Sequence, residues 1–447
     1  MELRDLPSVD ALTGALAGEY SLPGALLTSM AREAIDEARA AIEAGEPADP
    51  AAIASRRAAR MVAATPIRVI NATGVLLHTN LGRAPLHQDA VAAAALQSAT
   101  YGNLEIDLAS GERGKRGDQA RTLLATVAGA EAAMVTGNNA GALLLSLAAL
   151  ADPGGRVAVS RGELIEIGGS FRLPDLMAAS GARLIEVGTT NRTRLADYER
   201  VSGSIDLILK VHPSNYRVEG FAEEASWVEL GELAARRSIP FVADVGSGLI
   251  DTRVPWLDGG PPGWLEGEPG VRQTLAAGAD VVIFSGDKLV GGPQGGLAVG
   301  GADPIARMAS HPIARATRMD GPSLAALTAT LRLYADNRGA EIPFWHMASR
   351  SEAELRSRCE AVLAGADKAG RIVVGTSLPG AGSVPGKGIP TPIIEFEGDA
   401  DRLWASLAAH DPPLVAGRRD GKLTINLRAV DPSEDELVAA AISSAKA

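Results

Sequence analysis

Five short apolar runs in the middle of the chain limit what it can fold into. They are "VAVS" (157–160), "RLIEVG" (183–188), "IDLILKVH" (205–212), "IPFVADVG" (239–246) and "ADVVIFSG" (279–286). Helical patterns such as "SWVELGELAARRS" separate several of them. This alternation predicts an α/β fold, a mostly parallel sheet with helices on both faces. Nothing alternates in Val281–Phe284, so that strand is expected to be buried on both sides. Ligands of such sheets bind beyond the carboxyl ends of the strands.

At 447 residues the chain is too long for one ordinary core. Residues 1–65 read as a helical domain. Ser8 caps a first helix, Thr28 a second, and Asp49 followed by Pro50 a third. Residues 66–330 carry the sheet pattern and form the large domain. From 331 to 447, short strands ("IVVG", "TPIIEFEG", "KLTINLRAV") and a final helix predict a small α+β domain. The Gly/Pro-rich insertion "PWLDGGPPGWLEGEPG" (255–270) reads as a loop, on the surface or near the active site.

With 46% hydrophobic and 22% charged residues the composition is that of a soluble globular protein. Apolar stretches fall short of the roughly 20 residues a bilayer span needs, and the first ten residues lack a signal-peptide pattern. A single cysteine, Cys359, fits a reducing cytoplasm. The formal net charge of −11 argues against indiscriminate binding of phosphate backbones.

Three strand ends carry chemistry. "ADVGSG" places Asp244 at one of them. "SGDKLVGG" places Lys288 at the next, three residues after Ser285. "TGNNAG" contributes Gly137, Asn138, Asn139 and Ala140 before an apolar helix, and a helix N-terminus is a ready anion site. Each has an ordinary explanation alone: a solvated strand-end lysine, a capping aspartate, a turn. Together they form the set that pyridoxal 5'-phosphate (PLP) requires, namely an amine for its aldehyde, a carboxylate for its ring nitrogen and a cradle for its phosphate. His212 and His78 either line this pocket or serve as structural histidines. Arg315 and Arg318, three apart, and Arg83 suit an anionic substrate group, or ordinary surface ion pairing. The six histidines lack metal-ligand spacing, and no Walker, Rossmann or nucleophile-elbow motif is present.

Longer strings are more specific. "VINATGVLLHTNLGRAPL" (69–86), "GNLEIDLASGERGKRG" (102–117), "SRGELIEIGGSFRLPD" (160–175), "VHPSNYRVEGF" (211–221) and "SGDKLVGGPQGG" (285–296) together resemble the bacterial selenocysteine synthases. These are L-seryl-tRNA(Sec) selenium transferases, PLP enzymes of fold type I. The resemblance spans nearly the whole chain. It implies that Lys288 carries PLP, that Asp244 faces the ring nitrogen, and that the 137–140 turn with Ser285 holds the phosphate. Asp287 would join the active site, with His212 beside the cofactor. Arg83, Arg315 and Arg318 would bind the selenium donor, selenophosphate. Thr189, Thr190 and Tyr216 match motifs near subunit contacts. The implied reaction converts seryl-tRNA(Sec) to selenocysteinyl-tRNA(Sec) by β-elimination to an aminoacrylate and addition of selenium. A homo-oligomer, a decamer built from dimers, is implied, with the N-terminal domain gripping tRNA.

That domain is acidic, with ten Asp/Glu against six Arg and no Lys. Arg56, Arg57 and Arg60 could still form a local basic face. Arg428, in "INLRAV", stands where a small-amino-acid enzyme might place a carboxylate clamp. Two alternatives remain. One is a PLP-dependent lyase of a small amino acid or amino-sugar-acid phosphate. The other is a non-catalytic tRNA-binding protein.

Overall fold

A computed structural model describes residues 3–168, 171–380 and 382–445. The chain divides into two compact units, Met1–Val69 and Ile70–Ala447.

The first unit holds helices Val9–Glu19, Gly24–Glu43 and Pro50–Ala63. Ser8 and Asp49 cap the first and third, accepting from backbone N–H groups of the first turn. Thr28 does not cap the second. That helix starts four residues earlier, behind Pro23, and the Thr28 hydroxyl donates back to the Gly24 carbonyl at 2.9 Å. A threonine in mid-helix commonly bonds backward in this way, so the residue type alone does not mark a start. Leu12, Leu16, Leu27, Ile35 and Ile53 form the core of the unit. Arg57 pairs with both Glu33 and Glu37, so this member of the expected basic face is already matched by carboxylates.

In the second unit, a seven-stranded sheet runs in the order Ala132–Thr136, Gly296–Gly300, Val281–Ser285, Phe241–Asp244, Leu207–Val211, Arg156–Ser160, Arg183–Val187. The last five are parallel to one another. Gly296–Gly300 runs against both of its neighbours. Helices cover both faces, and two separate cores result. Val282 and Phe284 enter one, Val281 and Ile283 the other, and none has any solvent exposure. Burial on both sides is why this strand lacks alternation.

A six-stranded sheet runs Ile70–Ala72, Leu414–Arg419, Lys422–Ile425, Ile389–Phe396, Arg371–Gly380, Val75–Leu77. Its two outer strands come from residues 70–77, which the sequence reading grouped with the large domain. They pair with strands roughly 300 residues later, and local pattern carries no information about so distant a partner. Gly74, between them, takes φ +82°, and a Cβ there would lie 2.4 Å from Asn426 Nδ2. Gly74→Ala is expected to cost about 2 kcal/mol or more, from strain and overlap together. A shift in the urea midpoint checks this, and an unchanged midpoint would mean that the turn relaxes.

Candidate active site

Three neighbouring strand ends converge. Val211 and Ile283 both register against Asp244, so His212, Asp244 and the Ser285–Lys288 turn meet at one rim. The His212 backbone N–H donates to the Asp244 carbonyl at 2.9 Å.

Lys288 is buried, and its Nζ donates to the Gly382 carbonyl at 2.8 Å and to Ser214 Oγ at 3.3 Å. Burial pushes its pKa down, against the pull of Asp244 and Asp287. The turn that presents it is tight. Gly286 and Gly292 close it through backbone hydrogen bonds to Gly295 and back to Gly286, both at 2.9 Å. A Cβ on Gly382 would lie 3.4 Å from Nζ, in ordinary contact with the amine.

Asp244 is buried at the end of its strand and accepts from Asn139 Nδ2 at 3.0 Å. Burial raises its pKa to about 6, although Asn139, Lys288 and His212 all favour the ionised form. Asn138 caps the helix Asn139–Leu150 by accepting from the Gly141 N–H at 2.8 Å. The Gly137 N–H is taken by the Thr317 carbonyl at 2.7 Å. The first-turn N–H groups of Asn139 and Ala140 therefore remain for an anion. Ser285 is buried at the end of its strand, opposite Gly296.

Arg83 and Asp287 form an ion pair, Nε to Oδ2 at 3.5 Å, and both are partly shielded from solvent. Arg83 holds φ +74°, a conformation uncommon for a side-chain-bearing residue. His78 Nδ1 is buried without a partner, and burial lowers the pKa of the ring. Arg315 and Arg318 flank Thr317, whose carbonyl accepts from the Gly137 N–H. With Arg116 and Arg121 they line a separate hollow of about 250 Å³, where Arg318 and Arg116 pair with Glu105. Among the described residues, no hydrogen bond or ion pair joins them to Lys288, Asp287 or Arg83.

A cleft of about 650 Å³ is lined by His212, Thr189, Thr190, Tyr216, Glu268 and Lys387, among others. Lys288 does not line it, but His212 and Glu268 do, and both act on the charges of the Lys288–Asp244 pair. Arg428 is fully buried. Its guanidinium donates to the carbonyls of Met347, Ala348, Arg350 and Pro390 and to Thr391 Oγ1. The protein itself occupies these donors, so Arg428 is a structural tie and not a clamp.

Sequence reasoning missed Ser214, Gly382 and Glu268. Ser214 stood in plain sight in "KVHPSNY", two residues after His212. Nothing local marks Gly382, which arrives from the other sheet's side of the unit.

Residues 69–431 match the family model described as L-seryl-tRNA selenium transferase. The chain belongs to that family. An L-seryl-tRNA(Sec) selenium transferase of Solidesulfovibrio magneticus is 45% identical over 467 residues, covering 99% of this chain and 98% of its own. That of Nitratidesulfovibrio vulgaris is 43% identical over 469 residues, with 99% and 98% covered. That of Moorella thermoacetica is 46% identical over 388 residues, with 84% and 80% covered. Among solved structures, D-glucosaminate-6-phosphate ammonia-lyase superposes with a TM-score of 0.60 at 18% identity, over 86% of this chain and 96% of that one. At that identity the likeness shows the fold alone, which is that of the fold-type-I PLP enzymes. The family's cofactor is PLP.

The residues present fit that group. Asn139 Oδ1, Ser247 Oγ and Ser383 Oγ are buried without hydrogen-bond partners, which is costly unless a polar ligand meets some of them. A Cβ on Gly246 would lie 3.5 Å from Asp244 Oδ1, inside the space beside the carboxylate. No helix among the described residues is long and apolar enough to cross a membrane.

Proposed function

We propose that Lys288, Asp244, Asp287 and Arg83 carry the family's reaction in this chain. The chain is a PLP-dependent transferase that converts seryl-tRNA(Sec) to selenocysteinyl-tRNA(Sec). Lys288 would hold the cofactor and Asp244 would face its ring nitrogen. Asn138, Asn139, Ala140 and Ser285, with the Gly137 turn behind them, would hold its phosphate. When bound, PLP supplies an electron sink for charge that develops at the serine Cα.

The depressed basicity of the Lys288 amine favours its free-base form, which can take the Cα proton. Ser214 and the Gly382 carbonyl orient that amine. Arg83, held against Asp287, presents a guanidinium to the selenium donor, which we take to be selenophosphate. Among the described residues Arg315 and Arg318 make no hydrogen bond or ion pair to Lys288 within one chain, and we take a second copy to bring such arginines to the donor. That agrees with a homo-oligomer whose active sites lie between subunits. Thr189, Thr190 and Tyr216 would then line such a junction. The acidic N-terminal unit would meet tRNA mainly through shape and the few exposed arginines. A cytoplasmic setting suits a substrate carried on tRNA.

One observation carries the reading: a buried lysine and a buried aspartate at adjacent strand ends, in a chain belonging to this family by sequence along most of its length. Arg428 speaks against a small free amino acid as substrate, because the position that could clamp a free carboxylate is used up internally. The decisive assay supplies purified protein with seryl-tRNA(Sec) and selenophosphate. Selenocysteinyl-tRNA(Sec) is the expected product. Turnover of free serine or of an amino-sugar-acid phosphate, with none on the tRNA, would favour the lyase instead.

A further inference from the structure

The insertion at 255–270 is not a free surface loop. Trp256, Trp264 and Leu265 are buried. Trp264 stacks on Trp345 with ring centroids 6.2 Å apart, and Trp256 meets Tyr334 edge-on at 4.8 Å. Past the insertion, the N–H groups of Val271 and Arg272 donate to Leu249 and Ile250 at 2.8 and 3.0 Å. Between these anchors Gly267 takes φ +85° and turns the chain. The next residue, Glu268, is thereby delivered inward.

The Glu268 side chain is 3% exposed, and its Oε1 lies 3.3 Å from His212 Nε2. Neither atom has a fully formed hydrogen bond to any described residue, so each is the other's nearest opportunity. A buried carboxylate without a partner is costly, which makes an N–H donor at Nε2 the stable arrangement. That leaves His212 Nδ1 as the ring nitrogen available to a substrate. His212 is tied by its backbone to Asp244, and the imidazole and Glu268 both line the 650 Å³ cleft beside the Lys288 rim.

Loss of a serine hydroxyl needs a proton, because hydroxide leaves poorly. The other groups at the rim are committed. Lys288 takes the Cα proton, Asp244 serves the cofactor, and Asp287 is matched by Arg83. We propose that His212, held through Nε2 by Glu268, donates the proton that lets the serine hydroxyl leave as water. Glu268 acts through His212 and is a positioning residue. The inference rests on the functional reading above. In the step, His212 starts protonated at both ring nitrogens, with Glu268 facing the Nε2–H, and the Nδ1 proton passes to the seryl Oγ as the Cβ–Oγ bond breaks. The electron pair freed at Cα, whose proton has gone to Lys288 Nζ, becomes the Cα–Cβ double bond. His212 is left neutral and regains a proton from solvent.

The test compares two leaving groups on one tRNA. Chloride departs without a proton, so tRNA(Sec) charged with β-chloroalanine bypasses the proposed donor. Glu268→Gln and His212→Gln are expected to slow turnover of seryl-tRNA(Sec) by about 100-fold, and of the chloro substrate by less than about 3-fold. Glu268→Asp, which keeps the carboxylate, is expected to recover part of the loss. The absorbance and stoichiometry of the bound cofactor should match the wild type in the glutamate variants. Equal slowing on both substrates, or altered cofactor absorbance, would assign Glu268 a merely structural role and overturn the proposal. Unchanged turnover of seryl-tRNA(Sec) would overturn it as well. Failure of the wild type itself on seryl-tRNA(Sec) would instead bring down the functional reading, and the proposal with it.

Discussion

Lys288→Ala is expected to abolish selenocysteinyl-tRNA formation, with a loss on the order of 10⁴-fold, the upper range for a missing acid–base group. The purified variant should also lack the visible absorbance of covalently held cofactor. Borohydride treatment of the wild type, followed by peptide mass spectrometry, should place the trapped adduct on the peptide that contains Lys288. The size of the effect follows from the surroundings. The amine is buried, its pKa is lowered by that burial, and two fixed acceptors aim it. A water molecule in its place would have neither the covalent role nor the alignment. The fold should survive, because the Gly286–Gly295 turn is closed by backbone bonds that do not involve the lysine side chain. Retained activity, or an adduct on another lysine, would remove the basis of the mechanism.

Asp244→Asn should separate stability from activity. Activity is expected to fall by on the order of 100-fold or more, since a neutral amide cannot balance a cationic ring nitrogen. Stability of the cofactor-free protein should rise. The carboxyl is held at about 6 in the folded chain against an ordinary 3.8. The folded state therefore binds the proton more tightly than the unfolded state does. Between about pH 4 and pH 6 the unfolded chain has released that proton and the folded chain has not, so stability declines as pH rises through this window. Above about pH 6 the cost is complete, on the order of 3 kcal/mol for a shift of about two pH units. Asparagine never ionises, and its Oδ1 can still accept from Asn139. Urea unfolding of the cofactor-free forms at pH 7.5 and pH 4 checks the sign. The variant should gain stability over wild type at the higher pH and little at the lower. A variant less stable than wild type at pH 7.5 would show that the carboxylate is favourably held and that burial does not dominate. A site that stores this cost and relieves it when its ligand binds is a common exchange of stability for function.

Much of the site was legible because its members end apolar strands. Asp244 and Lys288 each follow a run of buried aliphatic residues, and the Asn138 turn precedes an apolar helix. Such local breaks in pattern survive in the linear chain. The helix caps at Ser8 and Asp49 were legible for the same reason, whereas Thr28 was misplaced because hydroxyl residues also occur within helices. The arginines were less legible. Charge and spacing grouped Arg83 with Arg315 and Arg318, but only Arg83 meets Asp287 within one chain. The helix that carries Arg315 ends at Ala316, so Arg318 lies beyond it and the three-residue spacing does not put the two on one helix face.

By itself, then, the order of residues determined the α/β class, the strands whose ends form the rim, and the types of group displayed there. Those properties depend on periodicity over a few residues and on which side chains water rejects. The tertiary structure alone decided that residues 70–77 complete a sheet begun after residue 370, and that the Gly382 carbonyl and Ser214 hold Lys288. It also turned Arg428 into an internal tie and brought Glu268 to His212 out of a segment that reads as a loop. Each of those contacts joins parts of the chain more than 35 residues apart. Their energy comes from packing and desolvation that arise only once the cores have closed, and no short stretch of sequence carries a trace of it.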